Sequence, residues 1–184
     1  NYSIISISTG MSHSCAILDN NDLYCWGTSW LGRLGIGSDA NGDYPTPQYV
    51  DSGVIAVSTG NDHSCALYET QIVKCWGGNF QGQLGTGSLE NAYTPALINL
   101  SSNIPLISLE SAYNLNCVVS EENIPYCWGA NQWGQLGNYD PNDSRQETPL
   151  TVEDNLSVIA ISLNGDTVCG IKTSSSNHTT HGHR

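Results

Sequence analysis

Six cysteines of this chain form three pairs with one spacing. The pairs are Cys15/Cys25, Cys65/Cys75 and Cys117/Cys127, each with nine intervening residues. In the first pair, the turn-forming residues 19–22 lie midway. In an antiparallel hairpin centred there, the cysteines face each other with Cα atoms about 4.5–5.5 Å apart, close enough for a disulfide. We predict three hairpin disulfides. Two alternatives stay open, namely free buried thiols and a zinc site, although tight Cys-x-x-Cys pairs and partner histidines are missing.

The predicted disulfides also predict a location and leave one cysteine over. Disulfides persist in oxidising compartments, so we expect the chain to be extracellular or at a cell surface. Cys169 occupies the position of the first cysteine of a pair, but the sequence lacks the strand that would carry its partner. We expect Cys169 to be free, bonded to another chain, or separated from its partner.

Two histidines invite a catalytic interpretation. His13 and His63 each precede a serine, and such a pair could supply a base and a nucleophile. Sequence neighbours on a strand point to opposite faces, however, so the two groups do not readily meet. The equivalent positions before Cys117 and Cys169 hold Leu115 and Thr167. We therefore expect a structural role for the histidines, no enzymatic activity, no catalytic residues, no cofactor and no bound metal.

Composition excludes several classes of protein. The chain has 17 acidic and 5 basic residues, a formal net charge of −12, which argues against nucleic acid and anionic membrane surfaces as partners. Its apolar runs are too short for membrane insertion. With five Trp, nine Tyr and 19 Gly against one Met and one Phe, it resembles proteins of strands and turns. It begins with Asn rather than Met, so we expect a processed product, an excised fragment or a sequence whose true start is missing.

A repeat of about fifty residues organises the chain. A Cys-Trp-Gly step opens the same phrase at Cys25, Cys75 and Cys127, followed each time by Gly-x-Leu-Gly and later by Thr-Pro. Each unit contains short segments with the alternation of half-buried strands, separated by turn residues. Four short strands per fifty residues is the plan of a propeller blade.

The repeats closely resemble the β-propeller repeats of the regulator of chromosome condensation family. The resemblance rests on the Gly-x-x-His-Ser-Cys-Ala runs at 10–17 and 60–67 and on the Trp-Gly-x-Asn-x-x-Gly-Gln-Leu-Gly runs at 76–85 and 128–137. It implies an all-β fold of β-propeller blades of four antiparallel strands. Family propellers usually close with seven blades, whereas this chain has about three and a half, so the resemblance implies an incomplete ring.

We divide the chain into the following segments: repeat 1 at 1–53, repeat 2 at 54–103, repeat 3 at 104–156, a partial repeat 4 at 157–172, and a polar tail at 173–184 that holds His178, His181 and His183. A short histidine-rich tract can bind metal, but a disordered end is the simpler interpretation. The acidic loops at 39–43 and 138–143 could offer calcium ligands, but solvated turns explain them better.

Other candidate sites lie in the inferred loops. The glycosylation candidates are Asn1, Asn99, Asn142, Asn155 and Asn177, each in an Asn-x-Ser/Thr sequon. Trp26, Trp76 and Trp128 recur at one position and are expected to pack in the blades. Trp30, Phe80 and Trp133 recur within the glycine-rich loops and are candidates for a binding surface.

Two functions follow as hypotheses. The first is a non-enzymatic extracellular structural subunit of a surface assembly, a fibre or appendage, associating with copies of itself or another protein chain through open blade edges. The alternative is part of a secreted seven-bladed propeller that binds proteins or glycans through its loops. Exchange-factor and chromatin roles known in the family are intracellular, which the paired cysteines disfavour.

Overall fold

The computed structural model describes residues 2–37, 42–100, 104–137, 144–152 and 157–172. These residues form fourteen β-strands and one single-turn 3-10 helix, Trp30–Gly32. None of the described residues belongs to a helix that could cross a membrane. The strands are β1 Ile4–Thr9, β2 His13–Leu18, β3 Leu23–Thr28, β4 Asp43–Asp51, β5 Val54–Thr59, β6 His63–Tyr68, β7 Val73–Gly77, β8 Ala92–Leu97, β9 Leu106–Ala112, β10 Leu115–Ser120, β11 Pro125–Ala130, β12 Arg145–Thr151, β13 Val158–Asn164 and β14 Thr167–Lys172.

The strands are grouped into successive blades. β1 to β4, β5 to β8 and β9 to β12 each form a four-stranded antiparallel sheet in chain order, and β13 pairs with β14 as a hairpin. The first strands of successive sheets are in contact: β1 with β5, β5 with β9, and β9 with β13. This confirms the predicted all-β fold, with three complete propeller blades and the first two strands of a fourth in an incomplete ring.

The hairpin that carries each cysteine pair closes with a tight turn. Asn21, Gln71 and Asn123 occupy equivalent turn positions and have φ values of 64°, 62° and 64°. Asparagine tolerates this left-handed conformation better than most residues, which explains its use in two of the three turns. The turns fix the register of the hairpins, so that Ile17 lies opposite Leu23 as the spacing predicts.

A β-bulge near the start of each first strand sets which side chains face the core. In β5, the pairing with β6 shifts between Val54 and Ala56, so Ile55 has no partner. The extra residue allows Val54 and Val57, which are three positions apart, to be buried together while Ile55 stays exposed. The same shift occurs in the other first strands.

The hydrophobic core lies between blades. The first cluster packs Ile17, Leu23 and Leu34 of the first blade against Val54 and Trp76 of the second. A second cluster joins the second and third blades, and a third joins the third blade to the β13–β14 hairpin. Each blade therefore depends on its neighbour for burial, as expected for a repeat architecture.

Candidate functional site

The three cysteine pairs are disulfides, one in each complete blade. Cys15–Cys25, Cys65–Cys75 and Cys117–Cys127 each have a Cα–Cα distance of 4.1 Å. This is the close spacing of directly opposed residues that do not share backbone hydrogen bonds. All six residues are fully or almost fully buried between sheets. The disulfides indicate an oxidising environment.

Cys169 is exposed on β14, opposite Ser162 of β13. No cysteine in the described part of the chain lies against it. Its pairing with another chain or segment therefore remains a proposal.

A buried polar network joins the first two blades. The Ser64 hydroxyl donates to the backbone carbonyl of Arg33 (2.9 Å), which also accepts from the Trp76 indole N–H (3.0 Å). The His13 Nε2 lies 2.8 Å from Ser64 Oγ. Because the serine proton already points to Arg33, His13 must donate here and is the Nε2–H tautomer. Sequence inspection missed this contact because the partner serine comes from the next repeat.

The next interface repeats the arrangement with an amide in place of the hydroxyl. His63 Nε2 lies 2.8 Å from the Asn116 Oδ1, which can only accept. The Asn116 Nδ2 and the Trp128 indole both donate to the carbonyl of Gln83, at 2.7 and 3.0 Å. At the third interface apolar residues replace the polar pair. Leu115, at the position of the histidine, is buried, and Val168, at the position of Asn116, packs against the same cluster.

These histidines are buried and neutral. Burial lowers the pKa of His13 to about 3, with smaller contributions from the charge of Arg33 and from His63. Burial likewise lowers the pKa of His63 to about 4, although its hydrogen bond to Asn116 and the charge of Asp62 act in the opposite direction. Both Nδ1 atoms are buried without a partner among the described residues. A histidine that donates to a buried serine is not placed to act as its base, so the contact joins two blades.

The packing of the histidines requires a glycine three residues before each of them, at Gly10 and Gly60. A Cβ on Gly10 would clash with the backbone carbonyl oxygen of Gly60 and lie 2.5 Å from the His13 ring carbon Cε1. A Cβ on Gly60 would clash with the His63 ring and lie 2.8 Å from the backbone carbonyl oxygen of Tyr113. The third blade, which has Leu115 in place of the histidine, has Ala112 at this position. Glycine is therefore required at these two positions both by the histidine ring and by the backbone of the next blade.

A second set of contacts crosses the blades at the glycine-rich loops. The buried Arg33 guanidinium forms an ion pair with Asp62 at 2.8 Å, and burial lowers its pKa. At the next interface the equivalent residues, Gln83 and Asn114, form an amide hydrogen bond of 3.2 Å. The same contact between blades is thus made by a charged pair at the first interface and by a neutral pair at the second.

This equivalence predicts the outcome of a paired substitution. Asp62→Asn leaves the buried Arg33 charge without its counter-ion, which we expect to cost about 2 kcal/mol, less than for a fully buried pair because Asp62 is partly exposed. The double variant Arg33→Gln/Asp62→Asn copies the next interface and should recover most of this loss. Urea unfolding midpoints measure both. Equal destabilisation of the two variants would contradict the prediction.

Asparagines brace the loops from inside. The Asn79 amide donates to the carbonyls of Ser88 and Glu90, and its Oδ1 accepts from the backbone N–H of Leu84. Asn131 Oδ1 accepts from the N–H of Leu136 in the same way. Their role was not foreseen, although the recurrence of asparagine two residues after Trp-Gly was a visible signal.

The glycine-rich loops present the aromatic residues that the sequence indicates as a binding surface. Trp30, Phe80 and Trp133 are 47%, 59% and 79% exposed. In an antiparallel blade, the turn from the first to the second strand and the loop from the third to the fourth lie at one end. The turn between the first and second strands adds Met11 in the first blade and Tyr113 in the third, and both are exposed. We call this end of the blades the loop face.

The tryptophans of the Cys-Trp-Gly steps lie at the interfaces. Trp76 and Trp128 are fully buried and bond to the preceding blade, as described above. Trp26, in the first blade, is only half-buried. The expected packing role thus applies fully where a preceding blade covers the ring.

Of the glycosylation candidates, Asn99 is described and is exposed, with its backbone N–H bonded to the carbonyl of Gly85. Several predicted features lie outside the described residues, namely Asn1, Asn142, Asn155, Asn177, the tail at 173–184 and all or most of both acidic loops. Among the described residues, no group of three or more His, Cys, Asp or Glu could hold a metal ion.

Comparison with solved structures shows a shared fold. Yeast RCC1 (Prp20), in a structure bound to Kap60, is 16% identical with a TM-score of 0.76, over 90% of this chain and 40% of that one. The CRINKLY WD40 ectodomain of the receptor kinase ACR4 from Arabidopsis thaliana is 21% identical with a TM-score of 0.60, over 95% of this chain and 53% of that one. The chain thus spans less than two thirds of either structure.

Comparison of sequences identifies the repeat. A bifunctional serine/threonine-protein kinase/NEDD4-like E3 ubiquitin-protein ligase from Dictyostelium discoideum is 49% identical over 49 residues, which are 27% of this chain and 3% of that protein. The regulator of chromosome condensation (RCC1) repeat matches residues 20–67, 74–119 and 126–171, and a second form of it matches 4–29 and 54–83. Because these matches cover well over half of its length, the chain belongs to the regulator of chromosome condensation (RCC1) repeat family.

Proposed function

We propose that this chain is a non-enzymatic binding module of the extracellular space or cell surface, whose loop face binds exposed apolar side chains of another protein. The observation that carries this proposal is the presence of an exposed aromatic residue, Trp30, Phe80 or Trp133, in the glycine-rich loop of each complete blade. Large aromatic side chains that are held rigid supply much of the energy of protein interfaces. Isolated exposed apolar residues are common, but an exposed aromatic residue in the same loop of all three complete blades is not.

Two further observations support the proposal. The disulfides favour a secreted or surface location, since such bonds are rare in the cytosol. The structure of yeast RCC1 is of a complex with Kap60, so a related propeller is known with a protein partner. The binding hypothesis also included a glycan partner, for which neither of these observations gives support.

Selection of peptide ligands tests the loop face. Peptides are selected from a phage-displayed library on the oxidised chain and then measured against a Trp30→Ala/Phe80→Ala/Trp133→Ala variant. We expect binding to fall at least tenfold, because three anchors are removed. Tyr49→Ala serves as the control, since Tyr49 is 53% exposed on β4, away from the loops. Peptides that bind the triple variant as tightly as the unchanged chain would contradict the proposal.

A second candidate function, a structural subunit that associates through open blades, is favoured by the first blade. Ile4 and Ile7 are 62% and 59% exposed, whereas the equivalent Val54 and Val57 are buried by the preceding blade. A further repeat or another copy of the chain would cover this surface. Native mass spectrometry tests self-association: a stable monomer of 19.8 kDa at micromolar concentration would argue against it.

A further inference from the structure

Four isoleucines recur at one position of the repeat and are all exposed. Ile5, Ile55, Ile107 and Ile159 are 57%, 41%, 50% and 55% exposed, and each is the unpaired residue of the β-bulge in its first strand. Packing within the blades does not require an apolar residue there, because the neighbouring Val54, Leu106 and Val158 fill the core. We call these four residues the isoleucine stripe.

The stripe runs across adjacent strands at one level. The Ser8 hydroxyl bonds the Thr59 hydroxyl (2.9 Å) and accepts from the Thr59 N–H (3.1 Å), and Ser58 Oγ accepts from the Ser111 N–H (2.8 Å). These contacts join the first strands of successive blades with a shift of only one residue. The bulged isoleucines therefore follow one another along the wall formed by the adjacent first strands β1, β5, β9 and β13.

Acidic turns surround the same end of the wall. The N–H groups of Asp19, Glu69 and Glu121 bond to the carbonyls of Ser3, Gly53 and Pro105, the residues that lead into the first strands. The side chains of these three acidic residues and of Glu122 are exposed. At this end the described Lys74 is already paired with Asp51 at 2.9 Å. The isoleucine stripe is thus an apolar strip beside a row of exposed carboxylates, at the end of the blades opposite the loop face.

We propose that the isoleucine stripe and its acidic turns bind a segment of another protein that combines apolar and basic side chains. Apolar side chains of the segment bury the isoleucines, and its lysine or arginine residues lie against the carboxylates of the turns. Apolar burial supplies affinity, while charge complementarity steers the encounter and selects basic segments. A chain with a net charge of −12 strengthens this selection. This surface is separate from the loop face and does not depend on it.

Model peptides test the composition of the partner. The probe is a fluorescein-labelled peptide of four Leu-Lys repeats, with Leu-Glu and Ser-Lys peptides of the same length as comparisons, measured by fluorescence anisotropy on the oxidised chain. We expect binding of the Leu-Lys peptide alone, weakened by added salt. Equal binding of the Ser-Lys peptide would overturn the proposal, because charge alone would then explain the affinity.

Substitutions locate the site. Ile55→Ser/Ile107→Ser should weaken binding of the Leu-Lys peptide at least tenfold, and Glu121→Gln/Glu122→Gln should weaken it and reduce its salt dependence. Leu97→Ser is the matched control, because Leu97 is 61% exposed but lies on the outermost strand of the second blade. Circular dichroism verifies that each variant is folded. An unchanged affinity in the isoleucine variant would overturn the proposal, whatever the result for the loop face.

Discussion

Reduction of the three disulfides should unfold the chain under conditions in which the oxidised chain stays folded. Each disulfide closes a loop of eleven residues between paired cysteines, which the chain-entropy model values at roughly 2.8 kcal/mol. The three together contribute about 8 kcal/mol, close to the whole net stability of a typical domain. Because the core lies between blades rather than within them, the disulfide and the backbone pairing of the strands are what constrain each blade internally.

Intrinsic tryptophan fluorescence and circular dichroism measure this effect. With a strong reductant, we expect the unfolding midpoint to fall below room temperature, and refolding on reoxidation to restore the buried environment of Trp76 and Trp128. The variant Cys65→Ala/Cys75→Ala isolates one bond and should lose roughly 2.8 kcal/mol. If the reduced chain kept the midpoint of the oxidised chain, the disulfides would not be the main constraint on the fold.

Much of this architecture can be predicted from local patterns. Alternating residues, the turn at Asp19 to Asp22 and the spacing of Cys15 and Cys25 define each hairpin without reference to the rest of the chain. The Thr-Pro step that recurs after each glycine-rich loop lies inside the fourth strand, as Thr46 and Pro47 of β4 show. Strand order follows the chain order, so local pairing was sufficient to derive the blade.

The contacts between blades could not be predicted in the same way. A partner about fifty residues away carries no local signal, so His13 was compared with its neighbour Ser14 rather than with Ser64. The bulge that exposes Ile55 is equally hidden, because the alternation of a strand conceals one extra residue. A comparison of the repeats does contain a signal. The pair His63 and Asn116 is replaced one repeat later by Leu115 and Val168, so both positions change together from polar to apolar.

Lowering the pH from 7.5 to 5 should destabilise the folded chain by about 4 kcal/mol through His13 and His63. Their pKa values are lowered to about 3 and about 4 by burial, against about 6.5 in an unfolded chain. The unfolded state therefore takes up protons first. The stability is fully present above pH 6.5 and is lost as the pH falls towards the native pKa values. At pH 5 each histidine accounts for about 2 kcal/mol.

Urea unfolding at several pH values measures the slope, that is, the change in the free energy of unfolding with pH. Glu110, whose pKa is raised by burial, acts in the opposite direction, so a comparison with a matched variant is needed. The variant His63→Leu/Asn116→Val replaces the polar pair with the apolar pair of the third interface, and Glu110 is unchanged in it. Its loss between pH 7.5 and pH 5 should be about half that of the unchanged chain, because only His13 then remains.

The slope separates this mechanism from a general loss of packing. A variant that is less stable at every pH but keeps the full slope would show that His63 takes up its proton at the same pH in the folded and unfolded chains. A halved slope would show that the neutral His63 ring joins the second and third blades. Because His13 makes the equivalent contact one repeat earlier, the two interfaces should loosen over the same pH range. Acid should then separate the blades at both histidine contacts, while the disulfides continue to hold each hairpin closed.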